Sequence, residues 1–157
     1  MSDHQTGHEK TLTALLPALA GANLIYGMGM LELGVTWSHA QLVMDNEIAR
    51  MIKRVVQGIP VNDDTLAVDI IKKVGVGNNF LGEKHTRQFM GSEQSTTKLI
   101  DRRMRGTWMS RGGKDMTQNA NEIAISILEN HKPDPLPESV LKKFKEIIAE
   151  AEEPFKK

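Results

Sequence analysis

Few residues in this chain can do chemistry. Cysteine is absent, which removes thiolate nucleophiles and disulfides. His4 and His8 stand four apart with Glu9 next. On a helix that spacing puts both imidazoles on one face, where they either hold a metal or sit in solvent at the helix start. A self-contained small enzyme would have to draw on these two and His85. The remaining candidates crowd into one stretch, GANLIYGMGMLELGVTWSHAQLVMDNE, from Gly21 to Glu47. Gly27 and Gly29 flank Met28 and permit close backbone approach or positive φ. No third glycine completes a dinucleotide fingerprint. Tyr26 offers a ring face to a cationic ligand, or else fills a core or rim. Glu32 is a loop carboxylate, poised or merely solvated. Asp45 and Glu47 read as helix-dipole and surface charges before catalysts. Further on, Arg102, Arg103 and Arg105 with Trp108 form either an anion or partner patch or a solvated face paired with carboxylates. No residue is assigned as catalytic, and none as a metal ligand.

The elements that must position these groups are mostly helical. Residues 23–26, NLIY, make the one convincing strand. Strand, glycine-broken loop and helix together predict a β-loop-α unit, and ligands bind in the loop at the carboxyl end of such a strand. Ahead of it, residues 11–20 predict a helix with Gly21 as its cap and Pro17 kinking or shortening it. After it, Ser38 and Gln41 have capping-box spacing, Trp37 and Leu42 staple spacing, and an apolar stripe runs to Val56 before Gly58. Asn62 caps a helix closed by Gly75. Shorter helices are expected over 83–90 and 98–110. Asp115 and Gln118 repeat the cap spacing, and Pro137 opens a terminal helix.

Composition narrows the classes. Twenty basic residues balance twenty acidic ones, which argues against nucleic-acid binding by bulk electrostatics. Apolar runs are too short to span a bilayer, and MSDHQTGHEK does not read as a signal peptide, so a cytoplasmic, non-membrane protein is expected. Aromatics at 4% and nine methionines suit a helix-rich chain. Residues 1–157 are read as one domain, with 132–157 a helical extension within it. A lone strand of four residues is not stable without neighbours. Either an all-helical module with one extended connector or a piece of a larger α/β fold answers that.

Four segments in one order decide between them: SDHQTGHEKTLTALLPALAGANLIYGMGMLELG, LVMDNEIARMIKRVVQGIPVNDDTLAVDIIKKVGVGNNFLGEKHT with its DNE, LIDRRMRGTW and ILENHKPDPLP. Together they resemble the C-terminal part of the trimethylamine methyltransferase family, from about Asp3 to about Ala151. The resemblance implies an α/β fold, the closing part of a TIM-type (β/α)8 barrel, predominantly helical here with one or two short strands near 23–26. It also implies an apolar surface left open where further barrel strands belong.

The family moves a methyl group from a methylated amine to the Co(I) of a corrinoid carried by a partner protein. Amine-specific members carry pyrrolysine, encoded by an in-frame amber codon, shortly before the region resembling residue 1. A frame opening at Met1 is what remains when that codon is taken as a stop, so an inactive fragment is expected. Related members without pyrrolysine act on glycine betaine, and that substrate stays open, as does a free-standing helical binding module. By resemblance, Tyr26 and Glu32 would bind the amine. Gly27, Met28 and Gly29 would form the corrinoid-facing loop. The chain itself would bind no cofactor, and the full-length protein would be a homo-oligomer.

Overall fold

The computed structural model describes residues 2–155. The chain falls into two compact units, Met1–Ile125 and Ser126–Lys157.

In the first unit, α1 (His4–Leu19) starts at Asp3, whose carboxylate accepts the Thr6 amide at 3.1 Å. It runs through Pro17 and ends in a Schellman turn. Gly21 takes φ +85°, its amide donates to the Ala18 carbonyl, and the Ala22 amide donates to the Pro17 carbonyl. Proline therefore sits in the last turn, where its missing N–H removes one intrahelical bond without stopping the helix.

Residues 23–26 correct the expected strand. They pair with nothing in a sheet among the described residues, and Leu24 is 83% exposed. The sheet lies just beyond. There β1 (Met30–Leu31) and β2 (Thr36–Trp37) pair antiparallel, Met30 opposite Trp37 and Leu31 opposite Thr36. A tight turn joins them. Glu32, Leu33 and Gly34 all take positive φ, and the Val35 amide donates to the Glu32 carbonyl at 3.0 Å. Two successive non-glycine residues in the left-handed region cost on the order of 1–2 kcal/mol each.

Helix α2 (His39–Val56) is the centre of the unit. Ser38 caps it, its hydroxyl accepting the Gln41 amide at 3.2 Å. The reciprocal half of the capping box is not made, because the Gln41 side chain is spent elsewhere. Met44 of α2, Leu99 and Ala120 form the small buried cluster, with Ala40, Val43 and Met116 against it.

Beyond α2 the expected helix after Asn62 is two. Asn62 and Thr65 make a reciprocal capping box for α3 (Asp63–Leu66), and Ala67 at φ +51° breaks the path before α4 (Val68–Val74). Helix α5 covers Lys84–Phe89. The helix expected over 98–110 is reduced to α6 (Arg105–Ser110), because the segment before it is tied by the Lys98 amide to Glu47 and by Arg102 to the Ser95 carbonyl. Asp115 and Gln118 make the predicted reciprocal cap of α7 (Met116–Asn130).

The second unit contains α8 (Glu138–Glu152) and a short 3-10 turn, Glu153–Phe155. Val140, Leu141, Phe144, Ile147 and Ile148 make one apolar stripe on α8 that its own unit leaves exposed. No helix among the described residues is long and apolar enough to cross a membrane.

Candidate functional site

The structure brings Tyr26, Gly27 and Glu32 to one groove. It lies between the start of α1 and the β1–β2 hairpin, has a volume of about 820 Å³, and is also lined by Asp3, Glu9 and Lys10. Tyr26 is 84% exposed, so its ring is free to be covered by something else. Glu32 accepts the Thr36 hydroxyl at 2.8 Å, which aims one carboxylate oxygen back over the hairpin. Glu9 accepts the Gln5 side-chain amide at 2.9 Å. The Thr6 amide bonded to Asp3 holds that carboxyl below its usual range. Tyr26 and three carboxylates line this groove, and the ring quadrupole and the acids attract the same charge, that of a cation.

Tyr26 and Gly27 also border a second groove, where Met28 joins them. It has a volume of about 810 Å³ and lies between α1 and α2, with Ala18, Ile25, Ile48 and Ile52 on its apolar walls. Gly29 borders neither groove. Its φ is +79°, and a Cβ there would come within 3.1 Å of the Leu42 Cβ and 3.2 Å of the Trp37 ring. The staple pair foreseen in the sequence therefore closes over this glycine.

A carboxylate read as a surface charge turns out to be the anchor of this loop. Asp45 is 5% exposed. One of its oxygens accepts the Lys10 ammonium at 2.6 Å and the Gly29 amide at 2.8 Å; the other accepts the Gln41 amide nitrogen at 2.6 Å. Lys10 also donates to the Gly27 carbonyl at 3.1 Å, and Ser2 donates to Gln41 at 2.7 Å. Glu47 is buried as well. It accepts the Lys98 backbone amide at 2.9 Å and lies 3.8 Å from Arg50. A signal for both was present. Extending the Ile52–Ile48 stripe backward along α2 lands on Asp45 and Gln41, and the Met51 and Met44 positions bracket Glu47 at helical spacing.

One arginine of the basic segment is neutralised within it. Arg103 grips Asp101 through its guanidinium and amide, and those bonds hold the Asp101 carboxyl at about 2. Arg102 donates to the Ser95 carbonyl, and the Trp108 indole to the Lys114 carbonyl. His85 donates to the Asp64 carbonyl at 2.6 Å and packs on Phe89. Among the described residues, no three histidine, aspartate or glutamate side chains gather as a metal site would require.

The family model for trimethylamine methyltransferase (MTTB) matches residues 1–155. The chain belongs to the trimethylamine methyltransferase family. It is 57% identical over 153 residues to the trimethylamine methyltransferase MttB of Desulfitobacterium hafniense, covering 98% of this chain and 31% of that protein. It is 52% identical to trimethylamine methyltransferase MttB1 of Methanosarcina mazei, with the same coverage of each. Identity to a glycine betaine methyltransferase of Desulfitobacterium hafniense is 33%, over 94% of this chain and 31% of that one. The chain thus spans about a third of the length of these curated relatives.

Proposed function

We propose that this chain supplies part of the amine-binding rim of a trimethylamine methyltransferase, which passes a methyl group from trimethylamine to the Co(I) of a corrinoid on a partner protein. The observation that carries the reading is the Tyr26 groove with Asp3, Glu9 and Glu32 around it. When bound, the partner protein's corrinoid would supply the nucleophile, and the methyl group would pass to it from trimethylammonium, the protonated amine, so that dimethylamine leaves as the neutral amine. The protein's task is to bind, orient and desolvate the amine. Tyr26 would cover the methylated nitrogen with its ring face, Glu32 would be its charged partner, and residues 27–29 would form the edge that faces the corrin. Trimethylamine is favoured over glycine betaine on charge. Betaine brings its own carboxylate, and Lys10, the one cation among the described lining residues, is already tied to Asp45. The gap between 57% and 33% identity points the same way.

Much apolar surface of the first unit lies open, including Leu16, Leu19, Leu24, Val35, Ile59 and Val61. Surfaces of that extent mark contacts still to be made, and a barrel wall would make them. The reading is tested by grafting this chain in place of the matching stretch of the Desulfitobacterium hafniense enzyme. Methyl transfer from trimethylamine is followed by the absorbance of the Co(I) corrinoid protein, with the 157-residue chain alone as control. Turnover within about tenfold of the parent, a barrier difference of ~1.4 kcal/mol, is expected from the graft and none from the isolated chain. A folded graft without turnover would sink the proposal.

A further inference from the structure

We infer that Lys10 and Asp45 are a positioning pair, which fixes the loop at residues 27–29 and so sets the distance between Tyr26 and Glu32. As a statement about the amine groove it rests on the reading above; as a statement about the loop it stands alone. The loop is held at both glycines. The Gly27 carbonyl accepts Lys10 and also the Met30 amide at 3.2 Å. At Gly29 the amide donates to Asp45, and the carbonyl accepts the Ser38 amide at 2.9 Å.

Every one of these bonds has a partner in α1, the hairpin, or α2 and its cap, so the loop is the point where the three meet. Lys10 comes from α1 and Asp45 from α2, 35 positions later. Their ion pair fastens the two helices to each other and to the loop in a single contact. Tyr26 immediately precedes the clamped segment, and Glu32 follows β1, so neither can move far while both glycines are held. A backbone amide bonded to a buried carboxylate is also a strong bond, because the acceptor is charged and shielded from water. Without Lys10, that carboxylate would be a buried charge facing only neutral donors, and opening the loop to water would relieve it.

The obvious variant, Asp45→Ala, is expected to weaken the fold itself, so the test is made at Lys10 in the 157-residue chain. Amide hydrogen exchange is read at Gly29 and, as an internal reference, at the buried Ala124. Lys10→Met should speed Gly29 exchange about tenfold or more while Ala124 changes little, because the opening is local. Lys10→Arg should stay within about threefold of wild type, since arginine can reach both acceptors with separate nitrogens. A Gly29 amide that exchanges at the wild-type rate in Lys10→Met overturns the inference. So does equal acceleration at Gly29 and Ala124, which would make Lys10 a general stabiliser. Exchange is read without amine or corrinoid, so a clamp that holds while the graft is inactive would fault only the amine reading. A clamp that fails while the graft turns over would fault only this one.

Discussion

Asp45→Ala should lower the stability of the chain by about 3–5 kcal/mol, measured by urea unfolding against wild type. The loss comes from three groups left behind. The Lys10 ammonium, four-fifths buried, loses its counter-charge, and the Gly29 amide and Gln41 side-chain nitrogen lose their acceptor. The total stability of an ordinary domain is about 5–15 kcal/mol, so the variant should lose a large fraction of it. Asp45→Asn keeps an acceptor but removes the charge and should fall between the two. A change under about 0.5 kcal/mol for Asp45→Ala would mean that Lys10 and Asp45 behave as a screened surface pair.

Glu47→Ala should cost about 1.5–3 kcal/mol, the range for a hydrogen bond to a charged group whose partner is then left unsatisfied. Here the partner is the Lys98 backbone amide, 51 positions away, next to Leu99 in the buried cluster. Glu47 is 3% exposed, so water cannot replace it without opening the packing. The damage should be local first. Amides of residues 95–99 should exchange faster before the helix does, since the carboxylate is what straps that segment to α2. Glu47→Gln retains an uncharged acceptor and should lose roughly half as much. Unchanged protection at Lys98 in Glu47→Ala would show that the strap is held by Leu99 and by the Arg50 bond to the Thr96 carbonyl instead.

What the sequence shows of this fold is what is local. The caps at Ser38, Asn62 and Asp115 and the glycine closures at Gly21 and Gly75 are short-range hydrogen-bond arrangements, and each sits where its residues predict. The strand over 23–26 was misplaced for a complementary reason. Apolar alternation shows that Leu24 and Ile25 want cover, and a ladder needs a second strand that local pattern cannot supply. The pairing falls instead at Met30–Leu31 and Thr36–Trp37, where a left-handed turn at Glu32 and Leu33 closes the hairpin with no Asn-Gly signal to announce it. Ala67 is a similar case, a left-handed residue without glycine that splits one expected helix into two.

The site divides the same way. Tyr26, Gly27 and Glu32 were legible as a cluster because they are near neighbours in sequence, and one groove holds them. The partners that set their geometry, Lys10 and Asp45, are far apart along the chain. Only the polar interruption of the α2 stripe hinted at the second of them, and its burial together with its charge gives it its role.

The most direct test of the account is methyl transfer by the grafted enzyme carrying substitutions at Tyr26, assayed by the absorbance change of the Co(I) corrinoid protein at subsaturating trimethylamine. A ring over a methylated cation contributes about 0.5–2 kcal/mol, so Tyr26→Ala should reduce kcat/KM by roughly two- to thirtyfold. Tyr26→Phe, which keeps the ring face, should lose less. His4→Ala and His8→Ala should remain near wild type. Full activity in Tyr26→Ala would contradict the account, as would activity lost to a chelator and restored by zinc, which would move the chemistry to the histidines.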